Sequence, residues 1–433
     1  MVVIGSDFHL RSYWSSDNHY RLSKVFSVEY LIADDIDIQV IPANCRITRF
    51  RVNPLTFKVF LLLLDASLVK FMSRSSSFKF RVRRMMKGDY DSKLGFNASG
   101  VFRIFRSYLS GIPGFFNLLQ WTYKMTTRPP VSIQHSLHGS VAPIVLCWAQ
   151  SMEPATQVAI NLAQSTSAIS VFVFDNWDNL SSKAVLLRRP DYIVCFGEQS
   201  KFFAKCVHGQ EDSTVFPLGS SRFDVYTDEG QIGKANRKSV LLAGSSIALE
   251  DLGRLELLEA FLAGPKAINC RDFEFSYRPH PVPQGLSVDT SNWTYKNIQL
   301  GSSSKRSVRD TQPTWTNQKE VATQLSKNKI VVAGPTTLIL EALLSGCFVI
   351  LPTFGSIGVR TDTKEMISNL EHLKGIDKLE NLFFADSPDE LLKLLETLAD
   401  PKSDPVSSKY LDYFVTRYPF SFSQRLTSTL ESL

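Results

Sequence analysis

Three short stretches gather the side chains best suited to chemistry on a phosphorylated ligand. In Lys329–Thr353, KIVVAGPTTLILEALLSGCFVILPT, Gly334 and Pro335 stand between an apolar run and an alanine- and leucine-rich segment. With Gly334 as N-cap and Pro335 in the first turn, where a proline does no harm, the amides of Thr336, Thr337 and Leu338 lack intrahelical partners. Free amides at the positive end of a helix hold phosphate. Glu341 follows Thr337 by four residues on the same helix face, so its carboxylate can reach the hydroxyls of a sugar whose phosphates sit at the helix tip. A packing turn followed by a solvated helix would use the same residues, and the spacing alone does not choose. The second stretch is Arg278-Pro279-His280-Pro281. Its prolines fix the backbone and hold a guanidinium and an imidazole in one rigid loop, a pair able to clamp a diphosphate; a proline turn with an exposed arginine is the plainer reading. The third is Asp175-Asn176-Trp177-Asp178-Asn179-Leu180-Ser181-Ser182-Lys183. So many polar side chains at a strand end are costly to bury without a partner, which points to a ligand, although Asx-turns and a helix cap would use the same residues. His135 and His138 before Gly139 suit a polar pocket wall, and with no third ligand near them a metal site is not expected.

The elements that must position these residues read as alternating strands and helices. Ile330–Ala333 and Cys347–Leu351 are short apolar runs of the kind found in buried parallel strands, with a helix between them that closes at Gly346. Val2–Ile4, Ile36–Ile41, Val171–Phe174 and Tyr192–Phe196 are further strands in the first half, and Asp175 follows the third of them directly. Asp7 and His9 follow the first strand, at a junction that faces the ligand side of a doubly wound sheet. Asp35 and Asp37 imitate a metal-binding Asp-x-Asp, but they open their strand and lie at the wrong edge. Thr227–Lys238 is polar and glycine-bearing and makes the best linker. Beyond it come a strand, Ser239–Ala243, turning at Gly244 and Ser245 into an amphipathic helix, Leu249–Leu262, and a strand, Phe273–Tyr277, that ends at Arg278. Asn381–Ala385 is a last strand, Ser387–Leu398 a capped helix, and a final helical segment starts near Ser407.

Composition excludes several classes. The 433 residues carry a net charge of +6 and are 44% hydrophobic, enough for two compact α/β domains. The basic excess is too narrow for a nucleic-acid face. Six cysteines fall in no zinc spacing and fit reduced, buried thiols of a cytosolic protein. The N-terminus shows no basic segment followed by a sustained apolar core, so a signal peptide is not expected. Two uncharged stretches, Pro129–Met152 and Pro154–Phe174, are studded with Gln, Ser, Asn, His and Thr and should not span a bilayer. Residues 57–88, FKVFLLLLDASLVKFMSRSSSFKFRVRRMMKG, interleave apolar and basic side chains around a single acid, Asp65. They suit either peripheral contact with an anionic membrane or a core helix followed by a solvated basic loop.

Gly-Pro-Thr-Thr-Leu-Ile-Leu-Glu-Ala-Leu-Leu-Ser-Gly followed by a strand resembles the C-terminal-domain signature of GT-B glycosyltransferases. The Arg278-Pro279-His280-Pro281 element is similar to that of teichoic-acid-type glycerophosphotransferases. The ordered set D-N-W-D-N-L-S-S-K, P-D, G-E-Q-S and G-S-S-R-F-D, from Asp175 to Asp224, resembles the N-terminal half of bacterial surface-polysaccharide glycosyltransferases. The resemblance implies an α/β chain of the GT-B fold, two Rossmann-like domains facing an interdomain crevice. Residues 1–230 would form the acceptor side and 238–405 the donor side, with 406–433 crossing back to the first domain. Gly334, Thr336 and Thr337 would bind phosphate and Glu341 the ribose, with Gly244, Ser245, Arg278, His280 and Pro335 completing the donor site. Asn176, Trp177, Asn179 and Lys183 would line the acceptor side, and Asp175, Asp178, His135 and His138 are the candidate general bases. The implied reaction moves a sugar from a nucleotide-activated donor, itself a substrate, to a cell-surface glycan or lipid-linked acceptor, without metal or cofactor. It would take place in the cytoplasm, at the inner face of the membrane if 57–88 makes contact there. A nucleotide-sugar 2-epimerase, a CDP-glycerol-type glycerophosphotransferase and a non-catalytic nucleotide- or sugar-binding module are the alternatives. The last gains from the loop Gly5–His9, which lacks the glycine-rich turn many GT-B enzymes have there.

Overall fold

The computed structural model describes residues 1–14, 17–39, 41–87, 112–127, 129, 137, 143–150, 153–183, 185–226, 237–245, 248–280, 288, 290, 292–301, 318–355, 363–406, 409–417 and 420–433. The chain divides into two compact units, one formed by Met1–Asp224, Asn369–His372 and Asp412–Leu433, the other by Val225–Ser368 and Leu373–Leu411. Thr227–Lys238, read as a linker, lies outside the described residues except for its last two.

The first unit is built on seven strands: β1 (Val2–Ile4), β2 (Glu29–Ala33), β3 (Arg46–Phe50), β4 (Ile144–Trp148), β5 (Ile169–Val173), β6 (Tyr192–Cys195) and β7 (Val215–Pro217). They lie in the order β3-β2-β1-β4-β5-β6-β7. Every pairing is parallel. The second unit has six: β8 (Ser239–Ala243), β9 (Glu274–Arg278), β10 (Ile298–Leu300), β11 (Ile330–Val332), β12 (Phe348–Pro352) and β13 (Leu382–Ala385). Their order is β10-β9-β8-β11-β12-β13, again parallel throughout. Parallel strands need crossovers and are covered on both faces, which is why β1, β11 and β12 are buried along their whole length.

One expected strand is absent among the described residues. Residues 36–39 and 41 form turns and bends after β2, and the strands of this edge are Glu29–Ala33 and the charged Arg46–Phe50. Ile36 and Ile41 are nevertheless buried, at 4% and 8% exposure, and that burial is what their apolar character reports. Asp35 and Asp37 sit in this turn rather than at the opening of a strand. The stretch 57–88 is two helices, Pro54–Lys70 and Ser76–Lys87, and not a helix with a basic loop.

The end of the chain is stitched into the first unit. The Thr416 amide donates to the Phe196 carbonyl at 2.8 Å. Helix Phe422–Glu431 starts with a Ser421–Gln424 capping box, and the Asp224 carboxylate accepts the Phe422 N–H at 2.9 and 3.0 Å. Two glycines make room for this segment. A Cβ at Gly197 would lie 2.6 Å from the Phe414 oxygen, and one at Gly219, whose φ is +84°, would lie 2.2 Å from the Thr416 oxygen. Gly219→Ala therefore combines left-handed backbone strain with a backbone clash, and denaturant unfolding should show a loss of about 1–3 kcal/mol. Gly114→Ala, on an exposed helix where a Cβ meets nothing within 4 Å, should leave stability unchanged or raise it by up to about 1 kcal/mol. Equal behaviour of the two variants would contradict this account of the C-terminal segment.

Candidate functional site

In an open parallel sheet, ligands bind beyond the carboxyl ends of the strands where the winding reverses. In the second unit that point lies between β8 and β11, which pair in register from Val240 with Ile330 to Leu242 with Val332. The loop after β8 carries Gly244 and Ser245, the loop after β11 carries Gly334 to Thr337, and the adjacent β9 ends at Arg278 and leads to His280. The Gly244 amide donates to the Arg278 carbonyl at 2.8 Å. A Cβ at Gly244 would lie 2.8 Å from the His280 nitrogen, 2.8 Å from Tyr277 Oη and 2.9 Å from Asp251 Oδ2, so no larger residue fits.

A buried charge network, which the sequence did not disclose, fixes this loop. Both Asp251 oxygens accept the Ser245 N–H at 2.9 Å, and the Tyr277 hydroxyl donates to Oδ2 at 2.9 Å. Arg254 lies 3.7 Å from Asp251 and 3.1 Å from Glu250, all three buried. Burial pushes the Asp251 carboxyl above its usual range, against the opposing pull of the Ser245 amide, Tyr277 and Arg254. The Ser245 amide is thus engaged within the fold.

The turn after β11 differs in detail from its expected form. Pro335 centres a tight turn in which the Thr336 N–H donates to the Gly334 carbonyl at 2.8 Å, as a residue with φ held near −65° favours. Thr336 therefore does not offer a free amide. The helix begins later, at Leu338, with Thr337 as its N-cap, and runs only to Leu344. Gly346 closes it at φ +68°. Gly334 is buried, yet a Cβ there would meet nothing within 4 Å, so there is room beside this backbone. Glu341 is 8% exposed on the short helix. His280 Nδ1 is buried and has no hydrogen-bond partner among the described residues. Burial, and then the neighbouring Arg278 charge, lower the His280 pKa, so the ring is neutral at pH 7.

In the first unit the Asp175 stretch is divided between interior and surface. Asp175 is 4% exposed, and its two carboxylate oxygens accept the hydroxyls of Ser12 and Ser220. Trp177 is buried and donates Nε1–H to Gln199 at 2.9 Å, while Asn179 is buried and donates to the Ala149 carbonyl at 3.3 Å. Asn176, Asp178 and Lys183 stay partly exposed. Asp178 and Lys183 form a 3.0 Å ion pair across a π-helical turn, Asn179–Lys183, a feature that often marks functional sites. Burial alone would raise the Asp178 carboxyl, but Lys183, His372 and Arg81 outweigh it and hold it below its usual range. His135 and His138 lie outside the described residues.

Two residues near these positions escaped the sequence reading. His372 packs edge-on against Trp177 at 5.2 Å, and its Nδ1 lies 3.3 Å from Ser181 Oγ. Glu153, just before helix Pro154–Thr166, brings a carboxylate oxygen to 3.6 Å from His9 Nδ1. This pair stands where β1 and β4 end, at the winding reversal of the first sheet. A Cβ on Gly5 would lie 2.2 Å from the Ala155 Cβ, so glycine is what lets the two loops approach. Burial lowers the His9 pKa to about 3 and the ring is neutral. Among the described residues no cluster of three or more His, Cys, Asp or Glu forms a metal-ligand group.

No protein-family model matches the sequence, and no curated protein sequence matches it either. Solved structures do. A putative UDP-N-acetylglucosamine 2-epimerase from Listeria monocytogenes aligns over 100% of this chain and 96% of its own, with 12% identity and a TM-score of 0.51. The fold is of the GT-B type. MurG from Acinetobacter baumannii aligns over 100% of this chain and 99% of its own at 9% identity and a TM-score of 0.48. UDP-GlcNAc 2-epimerase from Methanocaldococcus jannaschii gives 100%, 99%, 10% and 0.49 for the same measures. At 12% identity the likeness to the Listeria monocytogenes structure establishes the architecture and no reaction.

The loop that follows the π-helical turn is tied down by one histidine. His208 Nε2–H donates to the Leu180 carbonyl at 2.8 Å, and Nδ1 accepts the Leu186 N–H at 3.1 Å, an arrangement only the neutral ring can make. Burial lowers its pKa from 6.5 to about 4. The unfolded chain therefore binds a proton that the folded one refuses. Its stabilising effect is complete above pH 6.5 and falls by about 1.4 kcal/mol per pH unit below that, until the folded pKa is reached. Melting of His208→Gln followed from pH 7 to 4.5 should show a shallower acid loss than the parent; parallel curves would contradict the assignment.

Proposed function

We propose that this chain is a glycosyltransferase that takes a sugar from a nucleoside-diphosphate donor held by its second unit. The acceptor, a cell-surface glycan or a lipid-linked saccharide, is held by the first. The observation that carries this reading is the gathering at the β8–β11 winding reversal of Gly334 with room beside it, Arg278, and His280 with an unpartnered buried nitrogen. A diphosphate supplies an acceptor for the unpartnered His280 imidazole N–H and a group that a guanidinium binds through charge-assisted hydrogen bonds. Thr336 and Thr337 offer hydroxyls to the same group, and Glu341 accepts from the ribose hydroxyls.

In the transfer, the acceptor oxygen attacks the anomeric carbon, the bond from that carbon to the diphosphate oxygen breaks, and negative charge grows on the departing phosphate. Arg278 and His280 stabilise that charge in a partly dry setting, where fixed donors act most strongly. The acceptor proton passes to a base of the first unit. His9 backed by Glu153 is the base placed first here, because it stands at the strand ends of that sheet, with Asp178 the second choice. Asp175, with both oxygens engaged by serines, acts as a clamp.

Thermal shift of the full chain across UDP, CDP and GDP should single out one nucleotide, with about 2.7 kcal/mol of stabilisation at a hundredfold excess over Kd. Arg278→Ala and Glu341→Gln should abolish that shift and cut donor turnover about a hundredfold or more. Glu153→Gln and His9→Asn should keep the shift while lowering kcat about 10²–10⁴-fold. Retained shift in Arg278→Ala would refute the site. Epimerisation of the donor without acceptor would replace transfer by 2-epimerisation.

A further inference from the structure

Residues 57–88 read in sequence as one basic, apolar surface, but the two helices of this region face different ways. In Ser76–Lys87, Phe78, Phe80 and Val82 are 0%, 3% and 7% exposed, so its aromatic side chains are inside the fold. In Pro54–Lys70 the first turns carry Leu55 at 54% and Phe57 at 48% exposure. This helix packs against Pro113–Thr126, and the Thr56 hydroxyl donates to the Thr126 carbonyl at 3.3 Å, setting the start of one helix beside the end of the other. The pair has its own small core, including Val59, Leu63, Phe116 and Tyr123, separate from the main core of the unit. On the second helix Leu118 and Trp121, three apart and hence on one face, are 57% and 60% exposed. The Phe57 ring adjoins the small core, 5.9 Å from Phe60, which stacks on Tyr123 of the second helix at 6.1 Å.

The charged side chains exposed on 51–64 and 112–127 have one sign. Arg51, Lys58 and Lys124 are exposed, and neither 51–64 nor 112–127 contains an acid. The one acid within the first helix, Asp65, is 5% exposed and faces inward. No helix among the described residues is long and apolar enough to cross a membrane.

We propose that the helix pair Pro54–Lys70 and Pro113–Thr126 docks on an anionic phospholipid surface, with Leu55, Phe57, Leu118 and Trp121 entering the headgroup region and Arg51, Lys58 and Lys124 meeting the lipid charge. The occupant follows from the chemistry: an exposed tryptophan prefers the membrane interface, and exposed apolar side chains interspersed with the cations Arg51, Lys58 and Lys124 are complementary to anionic lipid. Both signals are needed, since one alone gives marginal, reversible binding. The inference does not depend on the donor reading, and ties it to a lipid-borne acceptor only if both hold.

The test is co-sedimentation of the full chain with vesicles of phosphatidylcholine alone or mixed with phosphatidylglycerol, at low and high salt. The chain should bind the mixed vesicles, should bind neutral ones at least tenfold more weakly, and should lose affinity as salt rises. Phe57→Ser with Trp121→Ser should weaken binding to mixed vesicles at least tenfold, and Lys58→Glu with Lys124→Glu should remove the preference for anionic lipid. All four side chains are exposed, and unchanged melting temperature and nucleotide-induced shift would show that fold and donor site are intact. Binding that survives the Phe57/Trp121 pair, equal binding to neutral vesicles, or no binding at all would overturn the proposal. So would a dimer of the parent chain in light scattering that the same pair dissociates, since a second copy would then cover this face.

Discussion

All strands in each sheet run the same way, and this constraint governs where chemistry can happen. Parallel strands present their carboxyl ends along one edge, and their faces are buried under crossovers, so polar groups are confined to the loops at the edges. In the second unit the reversal between β8 and β11 separates neighbouring loops, and there Gly244, Arg278, His280 and Gly334 come together from far apart in the chain. The first unit repeats the scheme between β1 and β4, where His9 meets Glu153.

Each edge is held by a buried acid that ties neighbouring loops together. Asp251 gathers the Ser245 amide, the Tyr277 hydroxyl and the Arg254 guanidinium, and Asp175 gathers two serine hydroxyls from separate elements. A carboxylate with such partners is stable in the interior, and removing one partner leaves it underpaired at a cost of about 3–5 kcal/mol for a buried ion pair. These clamps let the neighbouring loops keep one shape, which a site that stabilises developing charge requires.

The strands that are buried on both faces were legible because nothing but apolar side chains can occupy them. β1, β8 and β11 appear within a residue of where the apolar runs put them, and helix Pro388–Ala399 begins after Ser387, whose hydroxyl accepts the Glu390 N–H. Arg46–Phe50 was not legible, since an edge strand tolerates charge, as with Arg46 paired to Glu29 at 2.7 Å. Ile36–Ile41 misled because a turn can bury isoleucine as well as a strand can. At the sites, Gly334 and Arg278 could be singled out from local pattern alone. The roles of Glu153, Asp251 and His372 arise from contacts between distant elements, which leave no mark in the spacing. Asp175 and Asp178 look alike in sequence, and only tertiary packing makes one a clamp and leaves the other beside Lys183.

The most direct measurement is a crystal structure of the full chain soaked with the nucleoside diphosphate it binds best. The account predicts density for the diphosphate within hydrogen-bonding distance of Arg278 and His280 beside Gly334, and the ribose hydroxyls on Glu341. A nucleotide bound elsewhere, or protein side chains filling the space beside Gly334, would contradict it.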